Sequence, residues 1–153
     1  MLERTRQTRT NFLQLLEGLD NERLNYIPDG FNNNLAWNFG HIIVTQQLLT
    51  YGLSGLSLKV PENTISAFRK GSKPEKVFST AEIEELRHLA VSSLDQFERD
   101  HESGLFRDFK VYETSYGLTL HSLPEAVSFN DLHEGLHLGY AMSLKRVVLA
   151  AHR

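Results

Sequence analysis

The chain has 153 residues, a formal net charge of -3 and a pI of about 6.2, with 41% hydrophobic and 23% charged residues. This balance predicts one folded domain over residues 1–153, and it excludes a disordered chain. The mild acidity and the lack of a basic stripe argue against a nucleic-acid partner, and no apolar run approaches the roughly 20 residues of a membrane span. The absence of cysteine excludes disulfides, Cys-ligated zinc, iron–sulfur clusters and a Cys nucleophile.

Behind the charges of Met1 to Arg6 there is no apolar core of the kind a secretory signal carries, so the expected location is the cytoplasm. The first predicted helix covers Leu2 to Leu19, with Phe12, Leu13, Leu15, Leu16 and Leu19 in its second half and Gly18 and Asp20-Asn21 at its end. The second covers Leu35 to Leu53. An Asn of the run Asn32-Asn33-Asn34 is placed to accept hydrogen bonds from its first turn. It is the most apolar helix, containing Trp37, Phe39, Ile42, Ile43, Val44, Leu48 and Leu49.

The third covers Thr80 to Ser103, opened by a capping-box pattern at Ser79 and Glu82 and striped by Ile83, Leu86, Ala90, Leu94 and Phe97. The fourth covers Leu123 to Ala151, where Ser122 and Glu125 repeat the capping pattern and Pro124 sits harmlessly in the first turn. The connections are long. Glu62 to Arg69 has room for one or two helical turns, and Lys70 to Lys76 reads as a small basic, solvated loop. The residues around Tyr116-Gly117 read as a hairpin or extended lid. The expected architecture is therefore all-α, a four-helix bundle with long crossover connections.

Within the fourth helix, His133-Glu134-Gly135-Leu136-His137 matches H-E-x-x-H, whose two imidazoles share a helix face and can reach one metal ion. A zinc-protease reading lacks its third ligand. Glu134 is the last carboxylate side chain of the chain, and Tyr140 and Ser143 stand where the extended protease pattern needs a glycine and a further histidine. His41 is the better partner, because it lies in the most apolar stretch. On the fourth helix, Ala126, Asn130, His133, His137, Tyr140, Leu144 and Val147 form one expected core stripe. Three inward imidazoles would repel one another if protonated and would each need a partner if neutral; a divalent cation answers both needs.

Trp37-Asn38-Phe39-Gly40-His41-Ile42 resembles the W-x-x-G-H-I element of the DinB/YfiT-like superfamily. Tyr112 to Gly117 and His133 to Tyr140 resemble that family's later elements, in the same order, over essentially the whole chain. The resemblance implies a four-helix bundle that holds a divalent metal, commonly nickel or zinc, through His41, His133 and His137, and it implies a homodimer. It leaves the reaction open, since relatives include thiol-dependent transferases and isomerases as well as hydrolases.

Three neutral ligands would leave a metal its full charge and an open position, suited to lowering the pKa of water or holding a substrate thiolate. Without cysteine, thiol transfer would use an external low-molecular-weight thiol. Glu134 is the candidate general base, although a residue adjacent to a ligand is turned about 100° around the helix and could instead orient an imidazole or face a dimer partner. Trp37, Asn38, Thr45 and Tyr140 are the candidate substrate-pocket residues. Thiol transfer is the leading reading. A metal-dependent hydrolase and a non-enzymatic helical binding or stress-associated protein with a structural metal, or none, are the alternatives.

Overall fold

The computed structural model describes residues 1–152; Arg153, the end of the expected domain, lies outside the described residues. The elements are α1 (Glu3–Leu16), α2 (Asn21–Asn25), α3 (Leu35–Gln47) continued by a π-helical turn (Leu48–Gly52), α4 (Glu62–Phe68), α5 (Thr80–Glu102), strands β1 (Tyr112–Glu113) and β2 (Thr119–Leu120), and α6 (Leu123–Ala151). The chain is predominantly helical, as expected for an all-α fold. The four long helices meet pairwise: α1 packs on α5 and α6, and α3 packs on the same two.

Local chemistry explains most boundaries. Gly18 adopts φ +74°, a left-handed conformation that stops α1 at Leu16, three residues before the expected end. Asp20, expected to mark the end of the first helix, begins the next one. Its carboxylate accepts from the Arg23 amide at 2.9 Å and opens the short helix α2. Asn34 caps α3 through the Trp37 amide at 2.8 Å, and Ser79 and Glu82 form the complete capping box of α5. At α6, Ser122 accepts from the Glu125 amide, but Glu125 reaches back to the His121 amide at 2.8 Å. The expected hairpin is present, with Tyr112 opposite Leu120 and Glu113 opposite Thr119.

Helix α3 is buried almost all round, so it is the axis of the core. Phe39, Ile42 and Ile43 pack with Phe12 of α1, Leu86 and Ala90 of α5, and Leu144 and Val148 of α6. Burying each large apolar side chain of this set contributes roughly 1.5–3 kcal/mol before the cost of ordering it.

The core stripe of α6 differs from the expected one. The buried row is Ala126, Asn130, Glu134, Ala141, Leu144 and Val148. Tyr140 and Val147, expected inside, are 43% and 40% exposed. The helix is rotated so that Glu134 faces inward and His133 and His137 flank the core, half-buried. The physical reason is a cation on the opposite wall. Arg9 of α1 is 1% exposed and meets Glu134, itself 0% exposed, with Nη2 donating to Oε1 at 2.9 Å.

Candidate metal centre

The site grows from α3. Gly40 allows the Phe68 ring to lie directly on the helix: a Cβ at that position would stand 2.4 Å from Phe68 Cδ1. This close approach brings the Phe68 carbonyl to His41, whose Nδ1–H donates to it at 2.7 Å. The bond fixes the tautomer and leaves Nε2 as the acceptor nitrogen, with the Thr45 hydroxyl 3.4 Å from it. Trp37, one turn earlier, stacks on the His41 ring with centroids 4.6 Å apart and planes 12° apart. Its indole N–H donates to the Ser72 hydroxyl at 3.0 Å, which locks the stack.

His137 is held in the same manner. Asn38 donates its amide N–H to the Asn34 carbonyl at 2.8 Å, so its oxygen turns toward His137 and accepts from Nδ1–H at 2.9 Å. Here too Nε2 is the acceptor nitrogen. His133 completes the group. Its Nδ1 is buried and, among the described residues, has no hydrogen-bond partner, an arrangement that protein interiors seldom leave unanswered. Ring centroids are 5.2 Å apart for His41 and His133, 4.7 Å for His41 and His137, and 4.6 Å for His133 and His137. One ligand atom from each lies within 4.8 Å of the others.

Electrostatics keep these rings neutral. Burial, then the neighbouring His137 and His41, push His133 down to about 3. Burial and His41 push His137 down to about 4. Burial lowers His41 as well, against the opposing pull of the Phe68 carbonyl. Three neutral imidazoles, two with occupied Nδ1 atoms and one with an orphaned nitrogen, fit a divalent cation of the zinc or nickel type.

The cluster opens on a cavity of about 410 Å³. His41, Thr45 and the π-turn residues Leu48, Leu49 and Gly52 form one side, with Leu53 beyond them, while Phe129 and His133 of α6 form another. Tyr112, Thr114 and Ser115 of the hairpin and Lys70 complete the wall. The π turn widens the helix beside the cavity, a distortion often found at functional sites.

Of the four residues expected to line a substrate pocket, Thr45 lies in this wall, with Oγ1 3.4 Å from His41 Nε2. Trp37 and Asn38 stand behind the imidazoles they hold. Tyr140 packs edge-on against Phe31 and borders, with Asn38 and His137, a separate outer depression. Glu134 does not line the cavity. Its carboxylate accepts from Arg9 Nε and Nη2 and from Asn130 Nδ2, the last at 2.9 Å. Complete burial pushes this carboxyl upward, against the pull of Arg9 and Asn130. Arg9 Nη1 also donates to the Ala90 carbonyl and the Ser93 hydroxyl, both at 3.0 Å, so one side chain ties α1 to α5 and α6.

Sequence reasoning passed over Arg9, although the row Thr5, Arg9, Phe12 and Leu16 puts it on the buried face of α1. The Phe68 carbonyl carries no side-chain signal, and the cavity wall from the π turn and hairpin depends on long connections whose path the sequence does not give.

A family model described as the DinB superfamily matches residues 4–141. That span includes all three histidines and the hairpin, and the chain belongs to the DinB superfamily. No curated protein shows significant similarity to it. Among the described residues, no helix is long and apolar enough to cross a membrane.

Proposed function

We propose that the chain is a divalent-metal-dependent enzyme whose three-histidine site transfers an external low-molecular-weight thiol to an electrophilic carbon. The observation that carries this reading is the cluster of His41, His133 and His137, two of which, His41 and His133, line a cavity large enough for a small molecule. A divalent ion held there would supply the positive charge that favours a thiolate over a thiol at neutral pH. The chain has no cysteine of its own to serve as nucleophile. In the transfer, the sulfur forms a bond to the carbon, the bond from that carbon to its leaving group breaks, and the thiol proton passes to water. His41 and His137 are oriented for this task by the Phe68 carbonyl and Asn38, and Thr45 presents a hydroxyl beside the reacting space. A cytoplasmic setting, where small thiols stay reduced, suits this reading.

Glu134 acts in this proposal as a positioning residue. With its carboxylate held by Arg9 and Asn130, it sets the rotation of α6 and so the direction of the adjacent His133. The homodimer implied by the family would form across the outer face of α6, where Leu132, Leu136 and Tyr140 recur one turn apart and are exposed.

The test is elemental analysis of untagged protein beside His41→Ala and His133→Ala/His137→Ala, followed by thiol consumption with haloaromatic and epoxide electrophiles. Near-stoichiometric zinc or nickel, lost in both variants, with metal-dependent thioether formation is the expected result. Ester cleavage without thiol consumption would replace transfer by hydrolysis, and a wild type that stays empty after incubation with divalent metals would defeat the enzyme reading. Glu134→Gln separates the two roles of that residue: a base loses activity at unchanged metal affinity, whereas a positioning residue loses both.

A further inference from the structure

The cavity wall has one feature that the metal reading does not use. Among the described residues, Lys70 is the single basic side chain in the wall apart from its histidines, and no carboxylate lines it. Leu48, Leu49, Leu53 and Phe129 make the rest of the wall largely apolar, with hydroxyls from Thr45, Tyr112, Thr114 and Ser115. Among the described residues Lys70 enters no ion pair, although Lys76, from the same basic loop, pairs with Glu82.

The backbone beside Lys70 is fixed on both sides. Phe68, two residues before it, is pressed on Gly40 and bonded through its carbonyl to His41. Ser72, two residues after it, accepts from the Trp37 indole, and its one hydroxyl hydrogen is shared between the carbonyls of Ala67 and Arg69, each 2.8 Å away. Gly71 makes the turn between them at φ +87°. The lysine is thus presented at the cavity by a loop anchored to α3, with its ammonium group open to solvent and to a ligand.

We propose that the cavity takes a small organic anion, an apolar body carrying a carboxylate, with Lys70 as the residue that selects the anionic group. This rests on the cavity being the substrate site and names the class of substrate it admits. The apolar wall takes the body, and the unpaired ammonium meets the carboxylate at the mouth, where a point charge on a flexible stem suffices. A cationic ligand would meet Lys70 without any carboxylate in the wall to offset the repulsion.

The experiment is calorimetric titration with 4-phenylbutyrate, its neutral amide 4-phenylbutanamide, and the cation 4-phenylbutylamine. It uses wild type, Lys70→Met and Lys70→Glu, each with zinc and after chelation. Lys70 is exposed, so the variants keep the fold, and circular dichroism checks this. The expected result is a preference of about tenfold for the carboxylate over the amide in wild type, with and without zinc. In chelated protein it falls to near parity in Lys70→Met, and the amine overtakes in Lys70→Glu. A carboxylate preference that survives in chelated Lys70→Met, equal binding of acid and amide by wild type, or no binding of any of the three overturns the proposal. Failure of the metal reading shows separately, as absence of zinc from the protein, and leaves the comparison in chelated protein intact.

Discussion

Asn38 decides the state of His137 without touching the cavity. Its amide can turn only one way, because Asn34 offers a carbonyl and no donor on that side, and the oxygen left over must face the imidazole. Asn38→Leu removes that acceptor at similar volume. The expected loss in zinc affinity is about ten- to hundredfold, the usual effect of deleting an outer partner of a ligating histidine, read by competition with a chromogenic chelator. Gly40 acts through space it leaves empty. Gly40→Ala forces the buried Phe68 ring, stacked on Phe78, to move. It should cost about 1–3 kcal/mol in urea unfolding and weaken zinc binding as the carbonyl on His41 shifts. Retained affinity beside lost stability would show that the Phe68 carbonyl does not position the ring. The histidines were legible because H-E-x-x-H and a His in an apolar helix stand out in one dimension. Phe68 was not, because its part is played by a backbone carbonyl that any residue possesses.

Helix α6 shows what periodicity reads well and where it fails. Its ends, its proline and its serine cap follow from the sequence. Its inward face does not, because a rule that puts charge outside cannot know that Arg9 waits on α1. Once that cation is placed, Glu134 belongs inside, the helix turns, and His133 and His137 move to the margin where both meet His41 and His133 meets the cavity. The pair is therefore expected to behave as a unit. Arg9→Met should destabilise the metal-free protein by about 3–5 kcal/mol, since it strands a buried carboxylate. Adding Glu134→Leu to Arg9→Met should restore most of that loss, because an apolar pair of similar volume needs no counter-charge. Urea unfolding in chelator reads both, and a double variant no more stable than Arg9→Met would mean that packing rather than charge sets the cost. The short helix α2 and the π turn escaped sequence reading for a different reason: five-residue elements carry too little periodicity to be told from loops or continued helix.

The whole molecule holds three imidazoles neutral by burying them together, and this couples its stability to acidity. In the unfolded chain each histidine titrates near 6.5, whereas in the fold His133 titrates at about 3 and His137 at about 4, with His41 also lowered. Below pH 6.5 the unfolded state therefore takes up protons that the folded state refuses, and stability falls as the pH drops toward 4. The sign is the reverse of a histidine that gains a carboxylate partner. The full linkage slope is about 1.4 kcal/mol per pH unit for each group, and half-burial of His133 and His137 keeps the effect below that limit. Carboxylates elsewhere also titrate in this range, so wild type alone does not isolate the imidazoles. His133→Gln/His137→Gln removes two of the three and leaves the carboxylates unchanged. Urea midpoints measured in chelator at pH 7.5, 6 and 5 should fall more steeply for wild type than for the double variant. Saturating zinc at pH 7.5 should raise the wild-type midpoint and leave that of the variant unmoved, because only the intact cluster binds the ion more tightly folded than unfolded. Parallel pH profiles would show that the rings are already solvated enough to protonate in the fold, and the cluster would then lose its reason for requiring a cation.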